Sequence, residues 1–270
     1  MEFKSGKSTF IIHKSRFYDT NKIGITNEFL KKLPENFDNI GKTIYAARNQ
    51  IKVVVFNGHK INIKKYCIPP IINRIFYSIG LRTPKCVSAF INAEKILNAG
   101  FETPRPYAYI LEKRNGLIYY SYFISDQFDD FKQLRACKGI SLIKEFAVYT
   151  AKLHEKGLSS RDYTPGNILC NKENGKWHFI LIDVNRFSFK GKPLNISQAP
   201  YNLYTSYITR SRLKYLARCY GEYRGMDTDY LINKTLFLRT VRNMYSVLKR
   251  KLKKIPGASK FTLKPIKKND

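Results

Sequence analysis

The chain has 270 residues, of which 43% are hydrophobic and 14% aromatic, with only 15 Gly and 11 Pro. This composition is typical of a globular protein and excludes disordered, collagen-like and repeat architectures. Lys and Arg number 49 against 20 Asp and Glu, and the resulting net charge of +29 predicts an anionic partner: nucleic acid, a phosphate-rich ligand or a membrane surface.

The amino-terminal third predicts strands with one short helix. Residues 8–18 are expected to form a strand, and Thr26 is placed to cap a helix over residues 27–32, which Pro34 follows.

Two β-hairpins are predicted from Asn-Gly pairs, the strongest short turn signal. The first joins strands 45–56 and 59–66, and the second joins strands 107–112 and 117–124. Between them, residues 88–99 have the apolar spacing of a helix that ends at a glycine.

The second half of the chain is helical in character. Residues 140–156 predict an amphipathic helix ended by Gly157, a short hairpin spans 168–184, and helical patterns run from about residue 203 to 255. The tail is strongly basic, with only Asp270 opposing these residues: Lys249, Arg250, Lys251, Lys253, Lys254, Lys260, Lys264, Lys267 and Lys268.

Neither export nor membrane crossing is expected from the sequence. No apolar run approaches the roughly 18 residues that span a bilayer, and the first ten residues lack a signal-peptide pattern, so a cytoplasmic location is expected. The scattered cysteines form no C-x-x-C pair, which favours reduced thiols over disulfides or a zinc site: Cys67, Cys86, Cys137, Cys170 and Cys219.

The residues that carry chemistry lie after the long helix. Asp162 follows Arg161 and precedes Asn167 by five residues, the R-D-x-x-x-x-N spacing of a phosphotransferase catalytic loop. Asp183 ends the apolar strand that begins at Phe179. In-line phosphoryl transfer needs a carboxylate to take the acceptor proton, and Mg²⁺ prefers amide and carboxylate oxygens.

The motif alone is weak, because Asp and Asn in loops usually cap turns. Its context strengthens it: a helix ending at Gly157, Pro165-Gly166 before the asparagine, an apolar strand into Asp183, and an upstream hairpin rich in lysine.

With these features the chain resembles protein-kinase-like phosphotransferases and, more narrowly, the bacterial lipopolysaccharide kinases that phosphorylate Kdo or heptose in the inner core. The catalytic loop and the Asp183 strand are the specific parts of the resemblance. Supporting segments are 41–45, 48–49, 61–66, 72–74, Lys85, 100–106 and 182–186.

The resemblance implies an α+β, two-lobed protein-kinase-like fold. A small antiparallel sheet with one helix would form an N-lobe over residues 1–127, and residues 128–270 would form a mainly helical C-lobe. The implied activity is ATP-dependent phosphorylation of a sugar hydroxyl. Asp162 would be the catalytic base, and Asn167 and Asp183 would hold Mg²⁺.

Lys64 would pair with the nucleotide phosphates, as the last residue of a strand that resembles V-A-I-K. Neighbours in a strand point to opposite faces, so only Lys64 or Lys65 can face the cleft, while Lys60 shares a face with Lys64 nearer the turn. Glu94 is the candidate ion-pair partner of Lys64, with a solvated carboxylate as the alternative. Gly41 is the single glycine of the nucleotide-covering segment.

Three departures argue against a protein kinase. Ser160 replaces the usual histidine of the catalytic loop, the segment Asp183-Val184-Asn185 lacks the D-F-G glycine, and no A-P-E segment follows. A compact acceptor such as a sugar suits the missing peptide-docking segment. Arg161 and Arg186 are secondary candidates for binding the acceptor.

The resemblance also implies the partners. The acceptor would be an anionic glycolipid, the enzyme would lie peripherally on the cytoplasmic face of the inner membrane, and the basic tail would adhere to lipid. No nucleic acid is expected. Two alternatives remain: a kinase with a soluble acceptor, and a catalytically silent kinase fold that binds nucleic acid.

Overall fold

A computed structural model of the chain describes residues 1–206 and 209–252. Contacts divide the chain into two compact units. The first comprises residues 1–137, 160–162 and 166–189, and the second comprises 138–159, 163–165 and the described residues from 190 onward. The lobe boundary expected at residue 127 stays a prediction. The basic tail beyond Leu252 lies outside the described residues.

A seven-stranded antiparallel sheet forms the amino-terminal part of the first unit, with strand order β1-β2-β6-β7-β5-β4-β3. Its strands are β1 (Glu2–Ser5), β2 (Ser8–Lys14), β3 (Lys42–Ala46), β4 (Gln50–Phe56), β5 (His59–Tyr66), β6 (Pro106–Arg114) and β7 (Leu117–Asp126). The single strand expected over residues 45–56 is interrupted, because residues 47–49 turn the chain between β3 and β4.

Both hairpins predicted from Asn-Gly pairs are confirmed. Asn57 and Gly58 have φ angles of 47° and 78°, and Asn115 and Gly116 have 50° and 74°. Positive φ at both central residues is the geometry of a type I′ turn, whose twist matches that of the flanking strands.

One face of the sheet packs against α1 (Asn27–Asn36), and this contact buries Leu30 and Leu33. As predicted, Thr26 caps the helix: its Oγ1 accepts a hydrogen bond from Phe29 N at 3.1 Å. The helix continues through Pro34 to Asn36, whereas the prediction ended it at residue 32, and the buried Leu33 lies in this last turn.

Two further helices belong to this unit, α2 (Ile71–Ser78) and α3 (Lys85–Asn98). The unit therefore has three helices beside its seven-stranded sheet, where the element patterns predicted two and the kinase-like N-lobe implied one. α3 confirms the predicted helix over 88–99 and begins one turn earlier. α2 was not expected from the sequence.

The first unit also contains a second, three-stranded sheet of order β11-β10-β8. A short turn follows the last strand of this sheet. The remaining strands in chain order are β8 (Lys132–Gln133), β9 (Leu158–Ser160), β10 (Ile168–Glu173), β11 (Lys176–Leu181) and β12 (Phe187–Phe189), of which β8, β10 and β11 form this sheet. Short 3-10 turns occupy Phe37–Asn39, Leu134–Ala136 and Val184–Arg186.

The second unit is helical, with α4 (Ile140–Glu155), α5 (Pro200–Leu203), α6 (Arg210–Arg224) and α7 (Thr228–Leu252). α6 packs against both α4 and α7. His154 is fully buried here: Nδ1 lies 3.0 Å from the Tyr220 hydroxyl and Nε2 lies 3.3 Å from Asn202 Oδ1. This histidine therefore joins three helices of one unit.

Within the described ranges, every helix is too short or too polar to span a lipid bilayer.

Gly41 precedes β3 with a φ of +54°, and a Cβ there would lie 2.2 Å from the carbonyl oxygen of Val53 on the neighbouring strand. The absence of a side chain at Gly41 therefore lets the backbone before β3 lie close to the backbone of β4. Gly6 also has a φ of +54° but has no heavy atom within 4 Å of a Cβ position.

We expect Gly41→Ala to destabilise the protein by more than the roughly 1–2 kcal/mol that the left-handed conformation alone costs an L-residue. Gly6→Ala should show only that backbone cost, because its surroundings are open. Urea denaturation of both variants measures the difference, and equal losses would contradict the close-approach explanation.

Candidate active site

Asp183 occupies a strained backbone position just beyond β11. Its φ and ψ are 54° and 48°, in the left-handed region that costs a non-glycine residue about 1–2 kcal/mol. α3 holds the segment from one side, because Asn92 Nδ2 donates to the Val184 carbonyl at 2.9 Å. Strained residues of this kind are concentrated at functional sites.

Backbone and amide hydrogen bonds join the Asp162 loop to the Asp183 segment. Asn167 Nδ2 donates to the Asp162 carbonyl at 2.9 Å, and Ile182 N donates to the Asn167 carbonyl, also at 2.9 Å. Asp162 N donates to Ser160 Oγ at 3.1 Å. Ser160 thus has a structural role at the position where related catalytic loops have histidine.

Arg186 bridges the same two segments. Its Nη1 lies 3.5 Å from Asp162 Oδ2, and its carbonyl accepts a hydrogen bond from Arg161 N at 3.2 Å. The Arg186 side chain is thus a neighbour of the predicted base.

Lys64 contacts Asp183. The distance from Lys64 Nζ to Asp183 Oδ1 is 2.7 Å, and the lysine side chain is only 15% exposed. Lys65 points to the opposite face, where its ammonium lies over the rings of Phe37 and Tyr120. Lys60 pairs with Asp129. The alternation along β5 therefore leaves Lys64 beside the Asp183 carboxylate.

A cavity of about 450 Å³ within the first unit brings several of these groups together. Lys64, Asn167 and Asp183 line its polar end. Residues 125–128, at the end of β7 and just beyond it, line it as well. Its apolar lining includes Ile44, Ile51, Phe123, Leu169 and Ile182. The cavity therefore combines an apolar slot with a charged end.

The donor set fits a hard cation. Because Asn167 donates its amide NH₂ to the Asp162 carbonyl, its Oδ1 is the atom left for a ligand. Asp183 adds a carboxylate at the same cavity. Amide and carboxylate oxygens are ligands that Mg²⁺ accepts.

Glu94 does not form the expected ion pair with Lys64. It accepts a hydrogen bond from Ser15 Oγ at 3.0 Å. The reason is helical geometry: residues two apart lie about 200° around a helix, so with Asn92 facing the Asp183 segment, Glu94 points away. Sequence reasoning chose the only acidic residue on α3 and missed Asn92.

Gly41 is not part of the turn between β3 and β4. It lies at the other end of β3 from residues 47–49, and the cavity lining includes Asn49 from the turn but not Gly41. The positive φ and the contact with β4 account for this glycine without a ligand.

Arg48, Lys85 and Arg186 form a group of cations near Asp183, of which the sequence indicated only Arg186 as a candidate for binding the acceptor. Burial, together with the positive charges of Arg48 and Arg186, lowers the pKa of Lys85 below its usual value, while Cys67 and Asp183 act in the opposite direction. Arg48 and Lys85 line a second, smaller cavity that adjoins Tyr66 and Cys67. The positions of these cations in the sequence did not indicate that they lie close together, because the cations belong to different parts of the fold.

Comparisons with known proteins show the family to which the chain is similar. Residues 47–198 match the lipopolysaccharide kinase (Kdo/WaaP) family. The structure "WaaP in complex with acyl carrier protein" aligns with a TM-score of 0.50 at 13% identity, covering 90% of this chain and 97% of that one. A double mutant of the Mycobacterium tuberculosis PknI kinase domain aligns with a TM-score of 0.37 at 10% identity, covering 71% and 75%. No curated protein sequence matched.

We expect Arg48→Gln to raise the pKa of Lys85, because removing a neighbouring positive charge favours the protonated amine. Arg82→Gln is the control, since Arg82 is not among the charges that act on Lys85. NMR titration of ¹³C-dimethylated lysines measures both variants, and an unchanged Lys85 pKa in Arg48→Gln would contradict the cation group.

Proposed function

The chain belongs to the lipopolysaccharide kinase (Kdo/WaaP) family, whose model matches more than half of its length, and we propose that it transfers the terminal phosphate of ATP to a sugar hydroxyl of the lipopolysaccharide inner core. The observation that carries the proposal is the convergence of Lys64, Asn167 and Asp183 on one cavity, with Asp162 hydrogen-bonded through its backbone to Asn167.

The cavity supports nucleotide binding. An apolar slot bounded by residues 125–128 suits a planar base, and Lys64 at the polar end suits the α- and β-phosphates. In this arrangement the ammonium of Lys64 exchanges part of its contact with Asp183 for phosphate oxygens. Asp183 is then free to share its charge with a cation.

Asn167 Oδ1 and the Asp183 carboxylate would hold Mg²⁺. The ion, when bound, neutralises charge that develops on the phosphate oxygens. The strained backbone of Asp183, supported by Asn92, fixes the direction of that carboxylate before any ligand arrives.

Asp162 would orient the acceptor hydroxyl and take its proton at a carboxylate oxygen. The acceptor oxygen then bonds to the γ-phosphorus of ATP as the bond from that phosphorus to the bridging oxygen breaks, and ADP leaves. Arg186 Nη1 lies 3.5 Å from Asp162 Oδ2 and would hold this carboxylate in position. Its guanidinium also offers further donors to an anionic acceptor.

The cations Arg48, Lys85 and Arg186 support an acceptor that carries its own negative charge. Burial and two neighbouring arginines disfavour the charged form of Lys85. An anion bound among these three cations would therefore stabilise the charged form of the lysine. An inner-core sugar with carboxylate or phosphate groups has this chemistry.

The location proposed for the enzyme is the cytoplasmic face of the inner membrane, where such a glycolipid precursor is exposed. The net charge of +29 and the basic end of α7 at Lys249, Arg250 and Lys251 support adhesion to anionic lipid. Acyl carrier protein, with which the WaaP structure was solved, is a second candidate partner.

The assay combines the purified protein, labelled ATP, Mg²⁺ and either Kdo-lipid A or its heptosylated form. We expect transfer by the wild type and a loss of about 10²- to 10⁴-fold in kcat for Asp162→Ala, the range typical of a general base. Asp130→Asn, a change at an exposed carboxylate, is the control. Transfer that survives Asp162→Ala unchanged would refute the assignment.

Nucleotide binding separates this function from a silent, nucleic-acid-binding fold. We expect ATP with Mg²⁺ to raise the melting temperature of the wild type, because a ligand that binds only the folded state stabilises it. Asp183→Asn should lose most of this shift, whereas Glu94→Gln should keep it, since Glu94 points toward Ser15. A wild type without any shift, but with salt-sensitive RNA affinity, would favour the silent alternative.

A further inference from the structure

The apolar side of α2 faces outward. At about 100° per residue, five large apolar side chains fall within an arc of roughly 140°, and Leu81 follows just beyond the helix. Their exposed fractions are high: Ile71 55%, Ile72 64%, Ile75 42%, Phe76 37%, Ile79 61% and Leu81 70%. None of the eight residues of α2 is buried.

Polar contacts fix this orientation. Arg74 Nε donates to the Ile118 carbonyl at 2.8 Å, and Ser78 Oγ accepts from Ile118 N at 2.9 Å while donating to the Arg74 carbonyl at 2.7 Å. Turning the apolar face toward β7 would break these bonds and leave the Ile118 backbone unpaired. In α2 the apolar face therefore points outward and the polar face points toward β7, which is the reverse of an ordinary surface helix.

The surrounding sequence is entirely free of negative side chains. Between Asp38 and Glu94 there is no Asp or Glu, whereas basic residues occur throughout. They are Lys42, Arg48, Lys52, Lys60, Lys64, Lys65, Arg74, Arg82 and Lys85. Four of these cations are connected with α2: Arg74 belongs to it, Arg82 hydrogen-bonds to its Asn73, and Arg48 and Lys85 line the cavity that Asn73 and Tyr77 also line. A surface that meets α2 should therefore be apolar at its centre and negatively charged around it.

A lipid surface with anionic headgroups meets both requirements. The apolar residues stand on the outer side of a single helix and so form a ridge; a protein partner would need a matching groove, whereas the acyl boundary of a bilayer adapts to a ridge. We propose that α2, with Ile79 and Leu81, inserts its apolar face into an anionic membrane surface.

The inward face of α2 connects this surface to the cations described above. Asn73 and Tyr77 line the small cavity that also includes Arg48 and Lys85. A membrane on the outer face of α2 would therefore place lipid headgroups close to this cavity. This step rests on the proposed function, in which the acceptor is a membrane glycolipid, but lipid binding by α2 can be measured without any phosphoryl transfer.

The test compares Ile72→Gln/Phe76→Gln with the control Val55→Gln/Ile140→Gln, whose original side chains are 60% and 72% exposed elsewhere in the chain. Glutamine is a good helix former and adds no charge. Each variant is sedimented with vesicles of phosphatidylcholine containing or lacking phosphatidylglycerol. We expect the α2 variant to bind anionic vesicles about tenfold or more weakly, and the control to bind within about twofold of the wild type.

Insertion is measured separately from adhesion. In a Trp177→Phe background, Ile79→Trp should shift its emission to the blue on anionic vesicles and be quenched by brominated acyl chains, whereas Ile140→Trp should not. Persistence of the shift at high salt supports insertion, because salt screens only the electrostatic part of binding.

Three results would overturn the proposal. The first is an α2 variant that binds vesicles like the wild type while melting at the same temperature. The second is loss of binding to acyl carrier protein with vesicle binding unchanged, and the third is an α2-dependent dimer in solution that does not bind lipid. If the variant fails to fold, Ile72→Ala/Phe76→Ala replaces it. A negative kinase assay with positive α2-dependent vesicle binding would remove the proposed activity but keep this surface.

Discussion

The contact between Lys64 and Asp183 is the interaction around which the candidate site is organised. It joins the central sheet to the end of a separate hairpin over 119 positions in sequence, with 2.7 Å between the charged atoms. A partly exposed pair of this kind contributes little to stability. Its importance is local: an amine and a carboxylate held together in one cavity are the groups that a nucleotide phosphate and its cation would separate and share.

The supporting bonds are mostly made by neutral groups. Asn167 bonds to the Asp162 carbonyl, Ile182 to the Asn167 carbonyl, and Asn92 to the Val184 carbonyl, so amides position the Asp162 loop and the Asp183 segment. In protein kinases a glutamate on the corresponding helix pairs with the lysine. Here the lysine pairs with the aspartate itself, and the glutamate of α3 is bonded to Ser15 on another side.

Basic and acidic residues are not evenly mixed along the chain. The stretch from Asn39 to Ala93 lacks acidic residues and contains Lys64, the group around Lys85, and the outward apolar face of α2. This stretch therefore contributes Lys64 to the proposed phosphate site and contains the proposed lipid-binding helix, while Asn167, Asp183 and Arg186 come from a later part of the sequence. Charge of one sign raises the local concentration of anionic ligands, and it also excludes cationic ones.

The sequence by itself determined the features that depend on near neighbours: both Asn-Gly hairpins, the Thr26 cap, the long helix ended by Gly157, the kinase-like fold class and the alternation that separates Lys64 from Lys65. Tertiary structure decided which way each helix face turns and which residues far apart in sequence come into contact. Glu94 and Asn92 differ by two residues on one helix, and only the packing of α3 determines which faces Asp183. The role of Gly41 follows from a strand that closes against it, and the outward face of α2 follows from hydrogen bonds to Ile118, forty or more residues away.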